Sequence, residues 1–455
     1  MSPPRNTPRN TPRPGGPARA GGDRRDDHED HDDLDALAEA AGVERLSGQI
    51  VSVPDDAAPK GAAREAFVTD TAHHAGASED VAPDVTPGAT PDADAPYDQE
   101  AVTPGESEAD LLDESPAQVD DDTQQAVPGV PRSYVVAGRD IDMSVDLGFD
   151  MTLPNPVMTA SGCAANGREL HRFFDVAELG AFVTKTVMLN PRSGRGTPRM
   201  AETPSGMLNS IGLQGPGIEA FVAEDLPWLK SVGARVLVSI AGTEPREFAD
   251  VTRVLRNSEA FDAVVGIEVN ISCPNVANRG LVYACDVMST TQVLQEVRTE
   301  LPPDIPAFAK LSPDVTDIVM IARAALAAGA SGLTMINTLL GMQIDTDRLT
   351  PTLGGITGGL SGPAIHPIAV RAVYQVYAAM RSGRIPAAPI IGVGGIASGL
   401  DALQLIAAGA CAVQVGTATF HDPHAPARVL GELAEAVGRR GFTRLSHVVG
   451  IAHTR

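Results

Sequence analysis

The sequence predicts an α/β protein built as a (β/α)8, or TIM, barrel, preceded by a capping hairpin and a long acidic extension. Three observations carry that expectation. From residue 155 onward, eight short apolar runs alternate with helical stretches. Aromatic residues are only 4% of the chain while Ala, Gly and Val abound, which suits strands buried on both faces. Polar residues stand at the carboxyl end of nearly every run, where a barrel of this class keeps its mouth.

The runs are NPVMTAS (155–161), AFVTKTV (181–187), RVLVSIA (235–241), GIEVNIS (266–272), PAFAKLS (306–312), GLTMINT (332–338), PIIGVGG (389–395) and CAVQVGT (411–417). Each has the unbroken apolar character of a parallel-sheet strand. Helices are expected between them, for example over 316–328, 363–380 and 400–408, with Gly329 and Gly409 closing two of them as C′ residues do. Eight repeats specify a closed barrel over an open sheet. Residues 134–151 alternate apolar and polar about Gly138 and Arg139, the pattern of a hairpin capping the barrel bottom.

Charge divides the chain. It has 455 residues, with 35 Lys and Arg against 58 Asp and Glu, for a net charge of −23. Residues 1–130 hold 9 basic and 29 acidic residues, leaving 26 and 29 for the remainder. The near-neutral remainder offers no basic face for phosphate neutralisation, so nucleic-acid binding is not expected. Residues 1–131 read as a disordered Pro/Ala/Asp-rich extension closed by Pro128 and Pro131, and 132–455 as the barrel domain, because so polar a tail buries too little to offset chain entropy. Leu34, Leu37, Ala38, Ala41 and Leu46 make a helical stripe within it, either a docking helix or a transient one.

The four cysteines all lie beyond residue 160 without a CxxC pair. A disulfide scaffold, a structural metal and an iron–sulfur site in this chain are therefore not expected. No apolar run reaches the length of a membrane span, and none follows the N-terminal arginines as a secretory signal would. A soluble, cytoplasmic protein is the expectation.

Lysine is scarce, at four residues against 31 arginines. Lys185 and Lys310 nonetheless sit inside apolar runs, which suggests that a compact ammonium is required there. With Ser161, Ser239, Asn270, Asn337 and Thr417 they mark the run ends. In EVNISCPN (268–275), Asn270 and Asn275 can each donate and accept, and Cys273 lies just past the run, placed to act as a nucleophile or a base. Cys163, Cys285 and Cys411 read as packing. Glycine-rich turns follow runs six, seven and eight, at Gly362, Gly394–Gly395 and Gly416; barrels bind phosphate in such turns, and a nucleotide with one phosphate, such as flavin mononucleotide (FMN), fits. After run two, ETPSGMLNSIGLQGPG (202–217) reads as a long substrate loop without helix.

These motifs together resemble dihydroorotate dehydrogenases. The resemblance spans about 135–445 and rests on ASG (160–162), 183–217, EVNISCPN, KLSPDVTDI (310–318), GLTMINTLLGM (332–342), GGLSGPA (358–364), IIGVGGI (390–396) and QVGTA (414–418). Cysteine in NISCPN resembles type 1 enzymes, and ETPSGMLNSIGLQ with TMINTLLGM resembles the catalytic subunit of subtype 1B. The resemblance implies oxidation of dihydroorotate to orotate in pyrimidine (UMP) biosynthesis, hydride transfer to FMN, and Cys273 as the base. It also implies an electron-transfer subunit bearing FAD and a [2Fe–2S] cluster that reduces NAD+, with a homodimer of barrels inside a heterotetramer.

By the same resemblance, Ser161, Lys185, Thr186, Ser239, Asn270, Lys310 and Ile336 would face the flavin, with Gly362, Gly394, Gly395, Gly416 and Thr417 around its phosphate. Lys185, Asn209, Ser210, Ile211, Gly212, Leu213, Asn270, Asn275, Asn337 and Thr338 would face the substrate. Ser239 stands where the family usually has Asn, so a contact there would be shorter, water-mediated or lost. The acidic extension has no counterpart in the family pattern. Other readings are a fumarate-using type 1A enzyme, a flavin-dependent dihydropyrimidine dehydrogenase, and a non-catalytic scaffold acting through its tail.

Overall fold

A computed structural model of the chain describes residues 134–149, 151–272 and 285–454. The expected extension with its stripe at 32–46 lies outside the described residues, as do Cys273 and Asn275.

The apolar runs become eight strands: β1 (Val157–Thr159), β2 (Phe182–Val183), β3 (Val236–Ile240), β4 (Val264–Asn270), β5 (Ala307–Leu311), β6 (Gly332–Met335), β7 (Ile390–Val393) and β8 (Ala412–Val415). Every ladder between them is parallel, in the order β1-β8-β7-β6-β5-β4-β3-β2. A parallel bridge between Met158 and Ala181 joins the two ends. The sheet is thereby a closed barrel with no free edge. Side chains such as Val157, Val238, Ile267, Ala309, Leu333, Ile391 and Val413 are fully buried, as strands packed on both faces must be.

Helices cover the outside. After β2 the chain enters a helical stretch at Ile218–Ala220, passes through a π-helical Phe221–Asp225 and ends as α1 (Leu226–Ser231). The others are α2 (Pro245–Arg256), α3 (Val287–Glu300), α4 (Ile318–Ala327), α5 (His366–Arg381), α6 (Gly399–Ala408) and α7 (Ala425–Arg439). Their starts follow from capping chemistry. Asp286 accepts from Ser289 N–H at 2.7 Å, Asp317 accepts from Val319 N–H at 2.9 Å, and Ser398 and Asp401 cap each other reciprocally. The expected stops at Gly329 and Gly409 hold, both with positive φ (102° and 125°). No described helix is long and apolar enough to cross a membrane.

The leading segment forms two hairpins, not one. Tyr134–Val136 pairs with Arg139–Ile141, and Val145–Asp146 pairs with Thr152–Leu153. Ile141, Met143, Val145, Leu147 and Leu153 turn inward and are buried. The first hairpin lies against α7, where any side chain at Gly438 would come 2.6 Å from Val136 Cβ.

One expectation is corrected. Within 202–217, read above as a long substrate loop without helix, Gly206–Asn209 pairs antiparallel with Met200–Thr203 across Pro204 and Ser205. Proline followed by a residue at φ 56° is the signature of a tight turn, so the Pro-Ser-Gly run is a hairpin tip. Thr357–Ser361 and Leu339–Met342, from the segment after β6, add two more strands. This four-stranded sheet joins the segments that follow β2 and β6.

Candidate active site

The site begins with an irregularity in the barrel wall. Past β2, Thr184 N–H donates to Leu237 O at 3.2 Å and Val187 N–H donates to Ser239 O at 2.8 Å. The chain thus advances one residue more than β3 beside it, which is a bulge, and bulges re-aim side chains. Lys185 therefore lies beyond the regular strand that its run suggested. Consecutive residues Lys185 and Thr186 both line a cleft, together with Asn190, Leu213 and Phe221.

From Thr186 a chain of hydrogen bonds crosses the strand ends. Its hydroxyl meets those of Ser161 at 2.9 Å and Ser239 at 3.0 Å, and it accepts from Asn270 Nδ2 at 3.1 Å. Asn270 Oδ1 in turn accepts from Asn337 Nδ2 at 3.1 Å. Five of the expected residues, from β1 to β6, are thus one connected polar unit. Ser239 is fully buried and its hydroxyl is occupied by Thr186, so it acts on the mouth through Thr186.

Beneath that chain lies a triad of which the sequence reading caught only Lys310. Lys310 Nζ donates to Glu268 Oε1 at 3.1 Å and to Gln414 Oε1 at 3.3 Å, and Gln414 Nε2 donates to Glu268 Oε2 at 2.8 Å. Lys310 is 4% exposed and Glu268 and Gln414 at most 1%. A carboxylate in GIEVN and an amide in CAVQV were the available signals, since such groups rarely enter an apolar strand without partners.

The four-stranded sheet brings the remaining expected residues towards the same end. Asn209 Nδ2 donates to Gly359 O at 3.2 Å, next to Thr338, whose own N–H is tied to Asn337 Oδ1 at 2.8 Å. The backbone of Ser210, Ile211 and Gly212 is held by three arginines that sequence reasoning did not single out. Ser210 N–H donates to Arg199 O at 2.7 Å, Arg195 N–H to Ile211 O at 3.0 Å, and Arg192 Nε to Gly212 O at 3.4 Å. Leu213 follows at φ 52° and faces the cleft with Lys185.

The glycine turns gather on the other side. Thr417 Oγ1 donates to Ser361 Oγ at 2.8 Å, bringing the turn at Gly416 next to Gly362. Gly394 and Gly395, after β7, both have positive φ, and Gly394 O is 2.8 Å from His366 Nδ1 at the start of α5. Ile336, buried, donates its N–H to Val393 O at 2.9 Å and so ties β6 to this turn.

Among the cysteines, Cys163 is half-buried near both lysines, and desolvation pushes its thiol up to about 11 against their pull. It is a poor nucleophile at neutral pH. Ser272 is buried and donates its hydroxyl to Lys310 O. Asp314, after β5, accepts from Leu340 N–H at 3.1 Å, and burial pushes its carboxyl above the ordinary range. Among the described residues no group of three or more His, Cys, Asp or Glu could hold a metal.

Comparison with known proteins fits this geometry. A family model described as dihydroorotate dehydrogenase matches residues 147–437. A protein of Pelobacter propionicus is 47% identical over 309 residues, 68% of this chain and 98% of that protein. One of Geotalea daltonii is 45% identical over 309 residues, 68% of this chain and 97% of its own length. One of Desulforudis audaxviator is 46% identical over 303 residues, covering 67% and 95%. All three are named dihydroorotate dehydrogenase B (NAD(+)), catalytic subunit. Since the matched residues begin in the second hairpin and run through all eight strands to α7, the barrel and its mouth are those of a known lineage: this chain belongs to the dihydroorotate dehydrogenase family.

Proposed function

We propose that this chain oxidises dihydroorotate to orotate in the synthesis of UMP, with FMN as the bound hydride acceptor. The observation that supports this best is the donor-rich mouth. Lys185, Lys310, Thr186, Asn270 and Asn337 converge there, and Glu268, the only buried carboxylate among the described residues, is already engaged from below. Ammonium, amide and hydroxyl donors without a competing carboxylate suit anionic, carbonyl-rich ligands, and both a flavin monophosphate and orotate are of that kind.

Ser161, Lys185, Thr186, Asn270, Lys310 and Ile336 would hold the flavin, with Gly362, Gly394, Gly395, Gly416 and Thr417 around its phosphate. Ser239 would support Thr186. Lys185, Asn209, Ser210, Ile211, Gly212, Leu213, Asn270, Asn275, Asn337 and Thr338 would orient the substrate ring. The FMN held there would supply the acceptor for the hydride that leaves carbon 6. Cys273 takes the proton from carbon 5; an ordinary thiol titrates near about 8.5, so a fraction is thiolate at neutral pH. Lys310 offsets the negative charge that builds up beside it.

The electrons leave through a partner. Its relatives' names carry NAD(+) and a catalytic subunit, which supports a separate electron-transfer subunit; that this subunit bears FAD and [2Fe–2S], that the barrels form a homodimer within a heterotetramer and that they act in the cytoplasm are what the family resemblance adds to the proposal. Rapid mixing with dihydroorotate tests the base. Cys273→Ala should keep bound FMN and lose most of the fast flavin reduction; undiminished reduction would contradict the assignment.

A further inference from the structure

Glu268 and Gln414 lie outside every role assigned so far, and their placement is specific. On β4, Glu268 is two residues before Asn270 and so shares its face; it is level with Phe308, one layer below the Asn270–Lys310 pair. Gln414, on β8, is two residues before Gly416. Strands β4 and β8 are opposite walls of the barrel, so Lys310 is clasped between them. The clasp is a closed ring of three hydrogen bonds in which each carboxylate oxygen, and both ends of the amide, has one partner. Two of the three ammonium donors point to this floor, leaving one for the mouth.

We infer that Glu268 and Gln414 are positioning residues for Lys310: they aim its ammonium at the mouth and compensate its charge, and thereby set the reduction potential of the bound flavin. The inference rests on the functional reading above. A lysine needed for packing alone would call for no carboxylate, because buried ion pairs are commonly replaced by hydrophobic side chains without loss of stability. A bare ammonium in this enclosed layer would favour the electron-rich form of the flavin strongly. A paired one favours it less, which leaves electrons free to pass on after each turnover.

The test is the two-electron midpoint potential of the bound FMN, measured by dye equilibration without dihydroorotate. Glu268→Gln leaves Lys310 uncompensated and should raise the potential by about 30 mV or more, the equivalent of about tenfold in the reduction equilibrium for a two-electron couple. Lys310→Met should lower it. Because a lone buried charge can prevent folding, the double variant Glu268→Gln with Lys310→Met removes both charges and should lie well above Lys310→Met alone. A Glu268→Gln potential equal to that of the unaltered protein, or a double variant no higher than Lys310→Met, overturns the inference. Purified protein without FMN, or with FMN that dihydroorotate leaves oxidised, would instead overturn the functional reading.

Discussion

The side-chain amides of Asn270, the last residue of β4, and Asn337, just past β6, meet at 3.1 Å although β5 lies between those strands. Each orients the other, and through Thr186 the pair is continuous with the opposite wall. Asn270→Ala should therefore act beyond its own contact. Unsatisfied partners in an enclosed site cost roughly 1–3 kcal/mol, so kcat/KM for dihydroorotate should fall about 10- to 100-fold while the melting temperature shifts by only a few degrees. Steady-state kinetics with calorimetry checks both.

Gly359 has no room for a side chain, because a Cβ there would collide with the Thr338 hydroxyl. Its carbonyl also holds Asn209. Gly359→Ala should displace both residues and raise KM for dihydroorotate by about tenfold, with an overpacking cost of about 1–3 kcal/mol. An unchanged KM would separate the four-stranded sheet from substrate binding.

The thiols should sort by environment. Cys163 and Cys411 are pushed up to about 11 by desolvation, whereas Cys285 is exposed and only raised in direction. Their protons are held more tightly in the fold than in the unfolded chain, where a thiol titrates at about 8.5. These two desolvated thiols thus take stability away as pH rises from about 8.5 towards 11. Near pH 8, iodoacetamide should modify Cys285 and Cys273 and spare Cys163 and Cys411, as peptide mass mapping would show. Flavin reduction should be lost in step with Cys273.

The acidic extension should be dispensable for the chemistry. A chain starting near residue 132 omits most of the net charge and none of the strand ends described here. Its kcat and KM should stay within about twofold of the full chain in the same assay.

What was legible in the sequence was whatever depends on local pattern. Unbroken apolar runs locate all eight strands, because a strand buried on both faces tolerates little else, and Gly329 and Gly409 mark two helix ends. What was hidden depends on pairing at a distance. The bulge at Lys185 needs β3 beside it, and the hairpin across Pro204 and Ser205 needs the strand at Thr357–Ser361 to complete it. Glu268 and Gln414 are 146 positions apart, and neither had a visible reason to be polar until Lys310 was placed between them.

The central claim is tested most directly by anaerobic titration of the purified protein with dihydroorotate, followed at the flavin absorbance band. The protein should be yellow, and about one equivalent of dihydroorotate should bleach it with release of orotate. A colourless protein, or a yellow one that dihydroorotate leaves unbleached, would contradict the account.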